Sequence, residues 1–224
     1  MELVKTGKNK DVYKLPDGNY LLKFKDTAAR QQTCEAESCC GSAAAAVEGT
    51  GLGALKMSVY FFDHARNANI PVHFISADLS KNEMVVQPAK LFGNGLVFVL
   101  RYKAAGCFIR RFGAYLKEGD ALPEIFEVTL KDSARANPPA TKEILMALNL
   151  LSHSQFDEIH DKTARISGIV YEDLKNRGLE LFDIKLEFGI ADGKVALIDE
   201  LSARNMRVFK DGKRLEPSEI SRLF

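Results

Sequence analysis

Apolar and polar residues alternate in two short segments near the start of the chain, and this pattern predicts a β-hairpin. The segments are Asp11–Leu15 and Tyr20–Phe24, and between them stands Pro16-Asp17-Gly18-Asn19, a dense turn signal. Gly7-Lys8-Asn9-Lys10 precedes the hairpin as a glycine-led basic loop. Residues 27–51 are polar, then rich in cysteine and alanine, and show no period, so we expect a surface excursion there.

The next part of the chain changes from helical to strand patterning. Apolar residues at helical spacing predict a helix over about 52–68: Leu52, Leu55, Val59 and Phe62. Apolar segments rich in β-forming residues then predict strands at 72–75, 84–86 and 96–100. Because proline cannot donate to a central ladder, we place a boundary at Pro88. We therefore expect a first lobe of residues 1–88 and a second lobe of residues 89–224.

The rest of the chain mixes short helices with strands. A short helix is expected at 104–112 and a strand at 125–130, and two helices follow. The second of these helices has a clear start, because Ser152 and Gln155 can form a capping box, and Gly178 can end it. Strands and helices alternate without the regular rhythm of a parallel sheet, so the predicted class is α+β.

The most informative segment is a strand in which charged and apolar residues alternate. Asp183, Lys185 and Glu187 project from one face, while the apolar residues between them bury the other. One interpretation is a solvated face with cross-strand ion pairs. The other is a binding face for a cation and phosphate groups.

A second carboxylate, Asp199, follows the next apolar strand at Val195–Ile198. If the turn between the strands has three residues, Ala191-Asp192-Gly193, then Lys185 faces Asp199. Glu187 and Asp199 then lie one diagonal step apart on one face, and two carboxylates beside a lysine suit Mg²⁺ that carries phosphates. A two-residue turn would put Asp199 on the opposite face.

Basic and small residues stand together in a third segment. Arg101-Tyr102-Lys103-Ala104-Ala105-Gly106-Cys107 leads into the expected short helix, and Arg110-Arg111 follows. Small residues before a helix let an anion approach backbone N–H groups, and the arginines add positive charge. This pattern is weak by itself, because basic residues beside a helix are commonly only solvated.

The composition and the absence of known motifs exclude several classes of protein. Lys+Arg total 31 and Asp+Glu total 30, so a formal charge of +1 gives no bulk attraction to nucleic acid or to a membrane surface. No apolar run approaches the roughly 18 residues of a spanning helix, and the N-terminus lacks a signal-peptide core, so a cytoplasmic location is expected. Walker A, GxGxxG, GxSxG and HExxH motifs are absent. The cysteines are expected to be reduced and the histidines to be surface or packing residues: Cys34, Cys39, Cys40 and Cys107, and His64, His73, His153 and His160.

Four segments together resemble one known family. Gly7–Tyr13 is similar to its GKxKxVY loop, and Arg101–Gly106 is similar to its RxxAAGS segment. Asp183–Gly189 matches its DxKLEFG strand, and Asp199–Arg207 is similar to its DE(I/F/L)SxxxxR segment. The segments occur in the family's order over almost the whole chain, and DIKLEFG is the specific one. The family is SAICAR synthetase, the phosphoribosylaminoimidazole-succinocarboxamide synthase of purine biosynthesis.

The resemblance implies a fold and a reaction. The fold is α+β, with two lobes, antiparallel sheets and a nucleotide cleft between the lobes. The reaction is an ATP-dependent ligation that joins L-aspartate to the carboxylate of carboxyaminoimidazole ribotide through an acyl phosphate, with Mg²⁺ as metal cofactor. The expected partners are these small molecules and a second copy of the chain in a homodimer, without nucleic acid or membrane.

The resemblance also assigns roles to residues. Nucleotide contacts fall on the basic loop, the segment before Pro88 and two carboxylates: Lys8, Asn9, Lys10, Val12, Val86, Gln87, Glu187 and Asp199. The two carboxylates, Glu187 and Asp199, would also hold Mg²⁺. Ribotide contacts fall on the polar face of the predicted sheet and its neighbours: Arg101, Cys107, Asp183, Lys185 and Arg207. Lys185 and Arg207 would meet developing negative charge and are the catalytic candidates.

Several positions depart from the family pattern. Cys107 replaces the usual serine, Arg204 stands where an aspartate is usual, and Ser133 and Asn137 replace two further aspartates. The residues assigned to nucleotide and metal match the pattern better than those expected around the ribotide. Three functions therefore stay open: a SAICAR synthetase, a related ATP-dependent amide ligase for another acid or amine, and a nucleotide-binding protein that has lost catalysis.

Overall fold

Residues 1–26 and 47–224 are described by a computed structural model, and within them the chain forms two antiparallel sheets and five α-helices. This confirms the predicted α+β class. Most of the expected excursion at 27–51, with three of the four cysteines, lies outside the described residues.

The first sheet contains strands from the N-terminal part of the chain. They are β1 (Glu2–Thr6), β2 (Lys10–Lys14), β3 (Tyr20–Phe24), β4 (Phe74–Asp78) and β5 (Glu83–Val86). In space the order is β1-β2-β3-β5-β4. The predicted hairpin is confirmed as β2 and β3, because Lys10 pairs with Phe24 and Lys14 pairs with Tyr20. The sequence did not predict β1, which extends the sheet beside β2.

The second sheet is built around one long strand. Its strands are β6 (Lys90–Leu91), β7 (Leu96–Lys103), β8 (Ala121–Leu130), β9 (Pro139–Ala140), β10 (Glu180–Ala191), β11 (Lys194–Ile198), β12 (Met206–Lys210) and β13 (Lys213–Arg214). Strand β10 pairs with β7 and β12 along its first half and with β6 and β11 along its second half. Ile184, Leu186 and Phe188 are buried in the apolar core, whereas Lys185 and Glu187 on the other face are half-buried. The predicted alternation on this strand is confirmed.

The helices are α1 (Thr50–Asn67), α2 (Cys107–Phe112), α3 (Lys142–Ala147), α4 (His153–Asn176) and α5 (Pro217–Ser221). Helix α4 begins with the predicted capping box, since the Ser152 hydroxyl accepts from the Gln155 N–H and the Gln155 side chain accepts from the Ser152 N–H. Across the described parts of the chain, no helix combines the length and the apolar character that crossing a membrane requires.

One continuous cluster of buried apolar side chains joins both sheets to α1 and α4, for example Phe62, Phe98, Val170 and Leu186. The strands of the first sheet all precede residue 88, and those of the second sheet all follow it. The core nevertheless runs across this point. The division into lobes at residues 1–88 and 89–224 therefore stays a prediction.

Some element boundaries differ from the prediction for local reasons. Helix α2 starts at Cys107 and not at 104, because Gly106 has φ 57° and ψ −125°, which no helix accommodates. Strand β4 starts two residues later than expected, and Val72 instead forms an isolated parallel bridge with Leu197. Helix α1 starts at Thr50, inside the segment expected to be an irregular excursion.

Candidate active site

The turn between β10 and β11 contains two residues, so the predicted three-residue turn was wrong. Ala191 pairs directly with Lys194, and Asp192 and Gly193 both have positive φ, 48° and 72°. Such a pair of left-handed residues suits a tight hairpin whose twist matches the strands. Lys185 consequently does not face Asp199 in the ladder.

Asp199 nevertheless lies near Glu187, because it is no longer part of the strand. Strand β11 ends at Ile198, and Asp199 has a φ of 68°, so the two-residue period of the strand does not set the direction of its side chain. The Asp199 carboxylate lies 2.6 Å from Lys10 Nζ. Burial, followed by the charge of Asp199, raises the pKa of Glu187 to about 7. The two partly buried carboxylates therefore repel each other.

Each carboxylate has a lysine partner from a different element. Lys131, just after β8, places Nζ 2.5 Å from Glu187 Oε2, and Lys10 Nζ is also 3.7 Å from Glu200 Oε2. Burial opposes ionisation of Asp199, but the charge of Lys10 and its hydrogen bond outweigh burial and lower the Asp199 pKa. The sequence did not indicate Lys131, because its contact with Glu187 spans 56 positions and has no local pattern.

The glycine-led loop holds Lys10 in place. The Gly7 N–H donates to the Lys10 carbonyl at 2.9 Å, and a Cβ at Gly7 would lie 2.5 Å from that oxygen, so a larger residue would disrupt this turn. Lys25 Nζ donates to the Gly7 carbonyl and lies 2.6 Å from Asp11 Oδ1. Lys8 is exposed in the same loop, and the Asn9 carbonyl accepts from the Lys25 N–H. The loop thus directs one lysine at the carboxylates.

Val86 is the last residue of β5 and Gln87 follows it, and the resemblance assigns nucleotide contacts to both. Val86 is buried, whereas Gln87 is half-buried and lines an open pocket of about 340 Å³ together with Val72 and Asn69. The Gln87 N–H donates to the His73 carbonyl at 2.7 Å. Val12, on β2, is half-buried against the core. At this position, a ligand would meet Gln87 more readily than Val86.

His73, which immediately precedes β4, contacts the backbone at the carboxylate site. Its Nε2 lies 3.0 Å from the Asp199 carbonyl, and the residue is 5% exposed. Burial lowers the His73 pKa to about 4, against the opposing hydrogen bond and charge of Asp199. From the sequence we expected this histidine to be a surface or packing residue, and no local pattern indicated the contact with Asp199.

A second charged cluster lies farther along the same face of β10. Asp183 pairs in the sheet with Arg101 of β7 on one side and with Arg207 of β12 on the other. Asp183 Oδ2 accordingly lies 2.9 Å from Arg101 Nη1 and 2.6 Å from Arg207 Nη1. Arg101 also pairs with Glu127 of β8, a partner that the sequence did not indicate. Arg101 is only 2% exposed, whereas the Arg207 side chain is 17% exposed.

Helix α2 begins beside this arginine cluster. A Cβ at Gly106 would lie 2.5 Å from Arg207 Nη2, so only glycine lets the backbone approach the guanidinium so closely. Cys107 Sγ accepts from Arg101 Nη2 at 3.4 Å, and Arg111 pairs with Glu127. The structure therefore assembles two neighbouring clusters, a carboxylate–lysine site and an arginine–aspartate site, with Lys185 on the strand between them.

Comparison with known proteins identifies the family. The SAICAR synthetase family model matches residues 3–220. This chain belongs to the SAICAR synthetase family.

Individual relatives of the SAICAR synthetase family agree over nearly the full chain. A phosphoribosylaminoimidazole-succinocarboxamide synthase from Clostridium tetani is 46% identical over 225 residues, which cover 100% of this chain and 99% of that protein. A solved SAICAR synthetase in complex with ADP is 26% identical with a TM-score of 0.82, covering 97% of this chain and 89% of that one. The SAICAR synthetase of Pyrococcus horikoshii OT3 is 26% identical with a TM-score of 0.79, covering 95% and 89%. The predicted resemblance, fold and function in purine biosynthesis as a ligase are confirmed.

Residues that depart from the SAICAR synthetase pattern form hydrogen bonds or turns with nearby parts of the chain. Arg204 is buried, and its Nη2 donates to the Lys25 carbonyl at 2.9 Å, which links the turn at residues 203–205 to the end of β3. Asn137 Oδ1 accepts from the Asp132 N–H at 2.9 Å, and Ser133 starts a short 3₁₀ turn in the same loop. These replacements therefore make local contacts of their own in the fold.

Proposed function

We propose that this SAICAR synthetase family member uses ATP to join L-aspartate to the carboxylate of carboxyaminoimidazole ribotide. One observation carries the proposal: a single strand, β10, aligns a carboxylate–lysine site and an arginine site on one face, with Lys185 between Asp183 and Glu187. A ligase of this class needs both, because one substrate brings a triphosphate and the other brings a phosphate and a carboxylate.

The nucleotide end of the site contains Lys10, Lys131, Glu187 and Asp199. The donor set fits Mg²⁺, which commonly takes one or two protein carboxylates and completes its coordination with water and phosphate oxygens. The raised pKa of Glu187 supports this fit, since two partly buried carboxylates repel each other where a cation would relieve the repulsion. Residues 1–26 and 47–224 contain no group of three or more His, Cys, Asp or Glu side chains arranged for a metal, so phosphate oxygens would have to supply further ligands. Mg²⁺ bound there would offset the negative charge of the phosphates.

The ribotide end is formed by Arg207 and Lys185, with Arg101 and Asp183 behind them. Arg207 is partly accessible, and its Nε is buried and has no hydrogen-bond partner among the described residues. Guanidinium groups suit phosphate and carboxylate ligands, so Arg207 provides the contact with the ribotide. Arg101 is buried and paired with Asp183 and Glu127, and we assign it the task of orienting Asp183 and thereby Arg207.

The chemistry follows from these positions. The γ-phosphoryl group of ATP passes to a carboxylate oxygen of the ribotide, giving ADP and an acyl phosphate. The neutral aspartate amine then attacks the acyl carbon, the C–N bond forms as the nitrogen loses a proton to solvent, and the C–O bond to phosphate breaks and releases phosphate. Lys185 and Arg207 face the oxygens on which negative charge develops, where fixed cations stabilise the transition state.

A homodimer and a cytoplasmic location stay predictions.

The test incubates the protein with Mg-ATP, carboxyaminoimidazole ribotide and L-aspartate and follows the succinocarboxamide product and ADP together. We expect equal amounts of both, and we expect Asp199→Asn to form neither while keeping the wild-type circular dichroism spectrum. ADP release only with a different acid or amine would establish the related amide ligase. Nucleotide binding without turnover on any tested pair would establish a protein that has lost catalysis.

A further inference from the structure

His73 connects three parts of the molecule through three different groups. Its N–H donates to the Leu197 carbonyl of β11 at 3.0 Å, and its carbonyl accepts from the Gln87 N–H at 2.7 Å. Its Nε2 lies 3.0 Å from the Asp199 carbonyl. A carbonyl only accepts, so Nε2 carries the proton in this contact. One buried residue therefore joins the end of β5, strand β11 and the backbone of a proposed metal ligand.

The backbone of Asp199 needs such support. Its φ of 68° lies in the left-handed region, which an L-residue with a side chain occupies only at a cost. That conformation ends β11 and turns the Asp199 carboxylate toward Lys10 Nζ, 2.6 Å away. If Asp199 returned to an extended conformation, its carboxylate would follow the strand period and leave the Glu187 face.

We propose that His73 is a positioning residue for the nucleotide–metal site. Its imidazole holds the Asp199 backbone in the left-handed conformation, and its main chain ties that conformation to Gln87 at the end of β5. The inference rests on the proposed role of Asp199 as a ligand for metal and nucleotide. It gives the segment just before β4 a direct part in shaping a site whose carboxylates lie on β10 and just after β11.

Substitutions at His73 distinguish the contribution of its N–H donor from that of the volume of its ring. His73→Phe keeps an aromatic ring beside Phe62, whose centroid lies 5.7 Å from the imidazole, but removes the donor. His73→Gln can place an amide N–H near the position of Nε2, whereas the shorter His73→Asn cannot reach it. His160→Phe, at an exposed residue of α4, is the control for loss of an imidazole elsewhere.

The experiment measures ADP affinity by calorimetry, once with Mg²⁺ and once with EDTA. The wild-type protein and His160→Phe are expected to bind ADP more tightly with Mg²⁺. For His73→Phe we expect about a tenfold loss of affinity with Mg²⁺ and less than about a twofold change with EDTA, and His73→Gln should recover most of the loss. A purely structural role for His73 would instead lower both affinities equally, or lower only the melting temperature.

Two results would overturn the inference, and only one of them would also reject the proposed metal site. If wild-type protein gains nothing from Mg²⁺, the proposed metal site fails, and the role of His73 fails with it. If the wild type gains affinity from Mg²⁺ and His73→Phe gains as much, only the positioning role fails. Should His73→Phe not fold, the pair His73→Gln and His73→Asn decides, because the proposal requires the Mg²⁺-dependent gain to persist in the first and to be lost in the second.

Discussion

Replacing Glu187 by glutamine should stabilise the metal-free protein at pH 8. Burial and the charge of Asp199 raise the pKa of Glu187 from 4.5 to about 7, which means that the fold favours its protonated form. The folded state then binds more protons than the unfolded state between these values, so this group lowers the free energy of unfolding as the pH rises through that window. A shift of this size corresponds to about 3 kcal/mol, and glutamine imitates the protonated carboxyl, so Glu187→Gln should recover about 2–3 kcal/mol at pH 8.

Urea denaturation with EDTA at pH 8 and at pH 5 measures this effect. The gain from Glu187→Gln should fall toward zero at pH 5, where most of the wild-type Glu187 is already protonated. Glu180→Gln on the same strand is the control, because Glu180 forms an exposed pair with Lys103, and such pairs contribute less than about 1 kcal/mol. If Glu187→Gln is less stable than wild type at pH 8, then ionised Glu187 stabilises the fold as an ion-pair partner of Lys131, which contradicts a fold that favours its protonated form.

Three further substitutions test the two clusters. Gly106→Ala should raise the KM for the ribotide about tenfold with little change for ATP, because its Cβ would displace the Arg207 guanidinium; steady-state kinetics showing an unchanged ribotide KM would contradict this. Asp183→Asn should lower the free energy of unfolding by about 3 kcal/mol, since it leaves Arg101 and Arg207 without their shared carboxylate, and a urea titration showing a loss under about 1 kcal/mol would count against it. Lys10→Met should raise the KM for ATP about tenfold, and an equal KM for both proteins would remove Lys10 from the nucleotide site.

Strand periodicity predicted the part of the site that lies within one element. Asp183, Lys185 and Glu187 share a face because side chains alternate on β10, and the apolar residues between them are buried. Periodicity could not choose between a two- and a three-residue turn, since Ala191-Asp192-Gly193 suits both. It also could not predict the direction of the Asp199 side chain, because this residue has a left-handed backbone and lies beyond the end of its strand.

Contacts between distant parts of the chain could not be predicted from the sequence. Lys131, Glu127 and His73 each contact a predicted site residue in a distant part of the chain, at separations of 56, 26 and 126 positions. No local pattern marks such residues, because their positions follow from how the sheets pair and pack. The resemblance to a family supplied the fold and the ligase function, and the structure supplied these partners.

The proposed function requires that this protein activates the ribotide carboxylate with the γ-phosphoryl group of ATP before aspartate attacks. The direct measurement uses ribotide labelled with ¹⁸O in that carboxylate and determines the label in the released phosphate by mass spectrometry. We expect one ¹⁸O atom to be transferred to phosphate for each succinocarboxamide formed from fully labelled ribotide. Product accompanied by unlabelled phosphate would contradict it.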